Sequence, residues 1–307
     1  MLYLTGVTGQ LGSDLRSILD SIGMEYFAPA EHELDICNSS LVEASFSQCE
    51  KRGRISAVIH GAAFTQVDAC EAEREKAFLI NAAATENIAR ICGAKDLPMV
   101  YVSTDFVFDG LKTTPYEVDE PAAPCNVYGE SKLAGETAVR KFASRHYITR
   151  TAWLYGVNGN NFPRAILKKA ASGEKLSVVN DQFGSPTYSR DLAEILLTLL
   201  GISVPLTGVK SSRTDSRPAP FGTYHTTNFG YCSWFDFACE IARQGGWNTE
   251  IKPIASSDLD RAAKRPAFSV MSPASLTELG LEMRPWQDAL GAFMQELKPK
   301  SPELFNS

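Results

Sequence analysis

No two cysteines in the chain are spaced CxxC. The seven present (Cys37, Cys49, Cys70, Cys92, Cys125, Cys232 and Cys239) are odd in number and scattered. This argues against a disulfide framework or a zinc ribbon, and for reduced, mostly buried thiols in a reducing compartment. The four histidines (His32, His60, His146 and His225) stand alone, with no HExxH and no Cys/His cluster, so no metal is expected. Long apolar runs are missing too. The richest, Ile195 to Leu206, holds Thr, Gly, Ser and Pro and falls short of the roughly 20 apolar residues of a membrane span. The opening MLYLTGVTGQ has no cationic n-region and no long h-region, so no signal peptide is expected and the reading is cytoplasmic. Positive charge is not in excess: 30 Lys and Arg against 36 Asp and Glu give a net charge of −6. Nucleic acid and membrane are therefore not expected as partners, whereas a small anionic substrate can still sit in a local basic pocket.

With 44% apolar and 21% charged residues over 307 positions, the chain can bury a large core and is not a disordered or fibrous sequence. The first half alternates strand and helix patterns. Leu2–Thr5, Glu25–Ala28, Ala57–His60, Met99–Ser103 and Tyr147–Thr149 read as strands. Leu11, Leu15, Ile18, Leu19 and Ile22 recur at helical spacing, and Ser40 to Glu43 has capping-box spacing. Further helices are expected over 73–92 and 127–144. This alternation predicts an α/β fold with a doubly wound parallel sheet. The second half is less regular, with helices near 161–172, 190–200 and 286–297 and a Ser233-capped helix after it. Residues 210–220 read as an exposed loop and the tail from Pro299 as loose. The expected layout is a dinucleotide-binding domain over 1–155 and a smaller, mostly substrate-binding domain over 156–307, with segments near 190–230 packing back on the first.

Gly6-Val7-Thr8-Gly9-Gln10-Leu11-Gly12 lies directly between strand one and helix one. Such a loop needs one glycine for a tight turn, one for backbone approach to phosphate and one for close helix–strand packing. The helix N-terminus then faces a pyrophosphate with free N–H groups. An acid that binds the adenosine ribose is expected at the end of strand two, where the chain has Ala30 followed by Glu31. Glu31 either serves or is a solvated loop charge, so NADH and NADPH both stay open. Asp35 and Ile36 either border the adenine or, for Asp35, cap a loop.

Strand four ends Val102-Ser103-Thr104-Asp105, at the carboxyl edge where ligands lie across a parallel sheet. Tyr128 and Lys132 follow at i and i+4, on one helical face. A phenol has an ordinary pKa of about 10; a nearby ammonium lowers it and makes the phenol a usable proton donor. Lys132 can also hold ribose hydroxyls, and Thr104 a substrate oxygen on which charge builds.

With these residues in place, the chain resembles an extended short-chain dehydrogenase/reductase, and more closely the dTDP-4-dehydrorhamnose reductase family. The specific strings are Ser103-Thr104-Asp105-Phe106-Val107-Phe108-Asp109-Gly110 and Asp181-Gln182-Phe183-Gly184-Ser185-Pro186-Thr187. Tyr128-Gly129-Glu130-Ser131-Lys132 and Arg265-Pro266 support them. The resemblance implies a Rossmann-like fold and reduction of the C4 ketone of a nucleotide-linked 6-deoxyhexose by NADPH or NADH, giving dTDP-L-rhamnose. It implies Tyr128 as proton donor, Lys132 as its modulator and ribose clamp, and Thr104 as partner of the substrate oxygen. Ala62, Ala63 and Phe64 would line the cofactor beside Val102 and Ser103. Thr65, Val67, Asp105 and Trp153 would lie near the sugar, and Arg265 would meet a substrate phosphate. Plain structural readings stand beside these: core packing for Val67 and Trp153, a turn cap for Asp105, a surface salt bridge for Arg265. Some family members are described as metal-bridged dimers using glutamates of the first helix. Here that helix begins Gln10-Leu11-Gly12-Ser13-Asp14-Leu15-Arg16 without Glu, so the metal is not carried over and a homodimer stays open. Two alternatives remain: an epimerase or dehydratase that recycles its cofactor, and a non-catalytic regulatory subunit resembling that of methionine adenosyltransferase.

Overall fold

The computed structural model describes residues 1–306. At its centre is a six-stranded sheet: β1 (Leu2–Thr5), β2 (Tyr26–Phe27), β3 (Ala57–His60), β4 (Met99–Thr104), β5 (His146–Thr151) and β6 (Gly222–His225). The order is β2-β1-β3-β4-β5-β6 and every pairing is parallel. The α/β class expected from the alternation is the class observed.

Side chains along a strand alternate between faces, and here both faces are apolar. Leu2 and Leu4 enter one layer with Leu11, Leu15 and Ile18 of the helix Gln10–Ser21 and Leu192, Ile195 and Leu196 of the helix Ser189–Leu199. Tyr3, Val58 and Tyr101 enter the other with Val42 and Phe46 of Ser39–Arg52, Ile88 of Ala84–Ala94 and Val139 of Val127–Phe142. Each fully buried aliphatic side chain of this kind contributes about 1.5–3 kcal/mol. The chain leaves β1 for β2 on one side and returns to β3 on the other. That reversal opens a crevice at the carboxyl ends of β1 and β3, the place where open α/β sheets bind ligands.

The second half forms its own apolar cluster around Tyr155, Ile166, Phe237, Trp286 and Phe293. The expected Ser233 cap is present: its Oγ accepts from the Asp236 N–H at 3.0 Å while the Asp236 carboxylate accepts from the Ser233 N–H at 3.2 Å. Several local expectations are corrected by the structure. The helix Ser39–Arg52 is capped by Asn38, whose side chain accepts from the Leu41 N–H, and not by a Ser40–Glu43 box. The helix expected from residue 73 is preceded by Val67–Ala72 and contains a π turn at Leu79–Ala83. Val209–Ser211, at the head of the expected loop, pairs with Leu281–Met283. The tail is docked: Leu304 and Phe305 are buried, and the Leu304 carbonyl accepts from Trp247 Nε1 at 2.9 Å. Among the described residues no helix is long and apolar enough to cross a membrane.

Candidate functional site

A cleft of about 1380 Å³ runs along the carboxyl edge of the sheet and under the second half of the chain. Every residue singled out in the sequence lies on its wall: Gly6, Gly9, Gln10, Leu11 and Gly12; Asp35 and Ile36; Ala62 through Thr65 and Val67; Val102 through Asp105; Tyr128 and Lys132; Trp153; and Arg265. The volume exceeds that of the usual single-ligand pocket, about 300–1,000 Å³, which leaves room for two extended ligands side by side.

The glycine loop divides its work as the spacing requires. Gly6 has φ +74°, and a Cβ there would sit 2.6 Å from the backbone of Gly61 and Ala62. A Cβ on Gly12 would sit 2.4 Å from the Gly6 carbonyl oxygen, so only glycine lets this helix approach the strand. Gly9 meets nothing closer than 3.4 Å and opens toward the cleft. It also precedes the helix Gln10–Ser21 without a side-chain cap, and no acid occupies the first turn. The helix therefore presents unpaired N–H groups and the positive end of its dipole to the cleft. An open cradle and an uncapped N-terminus fit a pyrophosphate.

On the far side of β1, Phe64 is clamped at both backbone groups by Asn81 of the π turn. Asn81 Oδ1 accepts from the Phe64 N–H at 2.8 Å, and Nδ2 donates to the Phe64 carbonyl at 3.0 Å and to Ser131 Oγ at 2.9 Å. One buried amide thus ties the tip of β3 to the helix bearing Tyr128 and Lys132. That helix starts at Val127, where the Asn126 side chain accepts from the Gly129 N–H at 2.8 Å. It lies hard against β4: a Cβ on Gly135 would sit 2.2 Å from the Tyr101 hydroxyl.

Lys132 is 2% exposed. Its Nζ donates to the Val102 carbonyl at 2.7 Å and lies 4.1 Å above the Tyr101 ring. Burial pushes its ammonium down to about 7, against the pull of the Glu136 carboxylate. Glu136 is itself fully buried, paired with Arg150 through two hydrogen bonds at 2.9 Å and accepting from Ser103 Oγ at 2.6 Å. Burial also holds the Tyr128 phenol well above its ordinary range; the Thr104 hydroxyl beside it lowers it and the Asp105 carboxylate raises it further. This corrects the expectation of a phenol acidified by Lys132: in the free protein the ammonium faces Val102 and Tyr101, and desolvation dominates both groups.

Thr104 Oγ1 donates to Asp105 Oδ1 at 3.0 Å, and Asp105 Oδ2 accepts from Ser269 Oγ at 2.5 Å. Burial lifts the Asp105 carboxyl to about 6 while these two hydroxyls restrain it. Trp153 adopts φ +46°, a conformation disfavoured for a bulky side chain. It is held there by Trp234, stacked at 3.6 Å between centroids, and by Gly184, where a Cβ would lie 2.5 Å from the indole. Asp35 Oδ1 accepts from the Cys37 N–H at 2.9 Å, so this residue caps a loop as well as facing the cleft. Arg265 makes a two-pronged pair with Asp68, at 2.5 and 2.6 Å.

A family model described as "RmlD substrate binding domain" matches residues 1–298. The chain belongs to this family. It is similar to a Bacillus subtilis spore coat polysaccharide biosynthesis protein, SpsK, at 36% identity, covering 96% of this chain and 97% of that one. The dTDP-4-dehydrorhamnose reductase of Streptomyces griseus is also 36% identical, over 94% of this chain and 90% of that one. Among solved structures, the Bacillus anthracis dTDP-4-dehydrorhamnose reductase in complex with NADP superposes with a TM-score of 0.86 at 36% identity, covering 96% of this chain and 98% of that one. The Clostridium acetobutylicum dTDP-4-dehydrorhamnose reductase gives 0.87 at 33%, covering 97% and 99%.

Within this family member, several residues of the site carried no local signal. Asn81, buried behind the cleft, reads as an ordinary mid-helix polar residue; its bonds reach 17 and 50 positions away. Ser269, Gln182, Lys169 and Arg261 face the cleft itself, and of these only Gln182 belongs to one of the family-specific strings.

Proposed function

We propose that the chain is an NAD(P)H-dependent reductase of the C4 ketone of a dTDP-linked 6-deoxy-4-keto-hexose, forming dTDP-L-rhamnose. The observation that carries this reading is the convergence of Thr104, Tyr128 and Lys132 on one wall, beside an open glycine cradle. The relatives named dTDP-4-dehydrorhamnose reductase support it. In this reading residues 1–155 mostly hold the dinucleotide and 156–307 mostly cover the sugar. The compartment proposed is the cytoplasm, where seven free thiols stay reduced.

The cradle at Gly6–Gly12 would hold the pyrophosphate. Asp35 and Ile36 would flank the adenosine end, and Ala62, Ala63, Phe64, Val102 and Ser103 the path toward the nicotinamide. A reduced nicotinamide bound there would supply a hydride to C4 of the sugar. Tyr128 delivers its phenolic proton to the ketone oxygen, so the product alcohol gains one hydride and one proton. Thr104 turns its single hydroxyl proton from Asp105 to that oxygen as charge grows on it. Lys132 holds ribose hydroxyls, and its ammonium offsets the phenolate left after proton transfer. Thr65, Val67, Asp105 and Trp153 shape the sugar pocket. Dehydratases of the superfamily carry acidic groups after the Thr; here Asp105 is followed by Phe106, whose ring meets that of Tyr128 edge to face at 5.5 Å, so one expected acid is missing, which weighs against water elimination.

The test is an assay of the purified chain with dTDP-4-keto-L-rhamnose and either NADH or NADPH. Net oxidation of the nicotinamide with stoichiometric dTDP-L-rhamnose supports the reading. Turnover of a keto-sugar without net oxidation points to an epimerase, and tight cofactor binding without any turnover to a regulatory subunit.

A further inference from the structure

Arg265 is the arginine that the family resemblance offers to a substrate phosphate, and its charge is already engaged. Both terminal nitrogens donate to Asp68, at 2.5 and 2.6 Å, and Nη1 also donates to the Ala263 carbonyl at 2.8 Å. Only 13% of its side chain is exposed. Four residues earlier, Arg261 faces the same cleft. It makes no ion pair or side-chain hydrogen bond among the described residues. Burial and the neighbouring Arg265 guanidinium both disfavour its charge, and Asp68 offsets this only in part. Two guanidiniums sharing one carboxylate leave a local excess of positive charge. The other cations of the wall are differently placed. Lys76 pairs with Glu73 and covers the Phe64 ring, and Lys132 is tied to Val102. Lys169 stands on the helix Phe162–Ala171, beside the apolar strand Leu176–Val179.

The segment around Arg261 also runs in a fixed direction from the reacting end. Ser269 bonds Asp105, the neighbour of Thr104. Pro266 packs on Gly110, where a Cβ would sit 2.3 Å away. Arg265 grips Asp68, next to Val67, and Arg261 follows. A nucleotide-sugar with its C4 at Thr104 needs its diphosphate held elsewhere along the same cleft, where Arg261 stands. Resting on the reading above, we infer that Arg261 binds the diphosphate of the nucleotide-sugar, while the Asp68–Arg265 pair fixes the loop that presents it. A guanidinium with free donors matches two phosphate oxygens at once, which an ammonium cannot reproduce.

Titration calorimetry of the full-length protein with dTDP, thymidine and NADH tests this. The proteins compared are the wild type, Arg261→Gln, Arg261→Lys and Lys169→Gln. The expected result is a loss of about tenfold or more in dTDP affinity for Arg261→Gln, partial recovery for Arg261→Lys, and no change for thymidine or NADH. Lys169→Gln should bind dTDP as the wild type does. In turnover, Arg261→Gln should raise KM with little change in kcat, as expected when binding is lost equally from ground and transition states. Wild-type affinity for dTDP in Arg261→Gln, or a loss confined to Lys169→Gln, overturns the inference alone. A wild-type protein that binds no dTDP overturns the reductase reading with it.

Discussion

Lys132 is a cation whose charge is disfavoured by burial in the free protein. Burial brings its ammonium down to about 7, against about 10.4 for an unperturbed lysine. Its one hydrogen bond, to Val102 at 2.7 Å, and the face of Tyr101 leave N–H donors without acceptors. Ribose hydroxyls arriving on the cleft side would accept from them and favour the charged form. Cofactor binding should therefore raise this pKa and take up a proton. A group half protonated at pH 7 takes up about half a proton there, and about 0.9 of one at pH 8. The sign follows directly: the bound state prefers the protonated amine, so affinity is full below pH 7 and falls as pH rises through it. Above that point Kd should grow toward tenfold per pH unit, since one pKa unit is 1.36 kcal/mol. The assay is titration calorimetry with NADH in buffers of different ionisation enthalpy, repeated at pH 6, 7 and 8. Lys132→Arg, which stays charged throughout, should abolish the proton uptake. A Kd that is flat from pH 6 to 8, with no dependence of the heat on buffer, would refute the reasoning.

Other outcomes follow from the same geometry. Gly12→Ala places a Cβ 2.4 Å from backbone; it should lower stability by about 1–3 kcal/mol and weaken NADH binding, read by thermal melting and titration. An unchanged Tm would contradict the close helix–strand approach. Glu136→Ala leaves Arg150 charged and 3% exposed; urea unfolding should show a loss of about 3–5 kcal/mol, and a loss below about 1 kcal/mol would show the pair to be incidental. The end of the cleft proposed for the adenosine is bordered by Pro29, Glu31, Leu34 and Asp35, and no Lys or Arg occurs from 29 to 37. NADH should bind about tenfold or more tightly than NADPH, whose 2′-phosphate would approach two carboxylates at a cost of about 1.4 kcal/mol or more. Equal or reversed affinities would contradict this.

What could be read from the sequence was what neighbours in the chain decide. The glycine loop declares itself because turn, strand and helix are adjacent, and Tyr128 with Lys132 because a helix brings i and i+4 together. β6 was not legible: four residues, Gly222–His225, become a strand only by pairing with Tyr147–Arg150, some 75 positions earlier in the chain. Asn81 was hidden for the same reason, and so was the docking of Leu304 and Phe305, which rests on packing and on the hydrogen bond from Trp247, all remote in sequence. Arg265 shows the converse. The family resemblance left it either a substrate phosphate or a surface salt bridge, and Asp68, remote in sequence, forms the salt bridge. For Tyr128, helical spacing sets its proximity to Lys132, whereas burial, which spacing does not show, raises the phenol's pKa.

The most direct measurement is a single-turnover comparison of wild type and Tyr128→Phe, both preloaded with NADH and mixed with dTDP-4-keto-L-rhamnose. The account predicts that the variant binds NADH and dTDP as the wild type does, yet transfers hydride about 10²–10⁴-fold more slowly, the usual contribution of a positioned proton donor. Hydride transfer at the wild-type rate in Tyr128→Phe would contradict it.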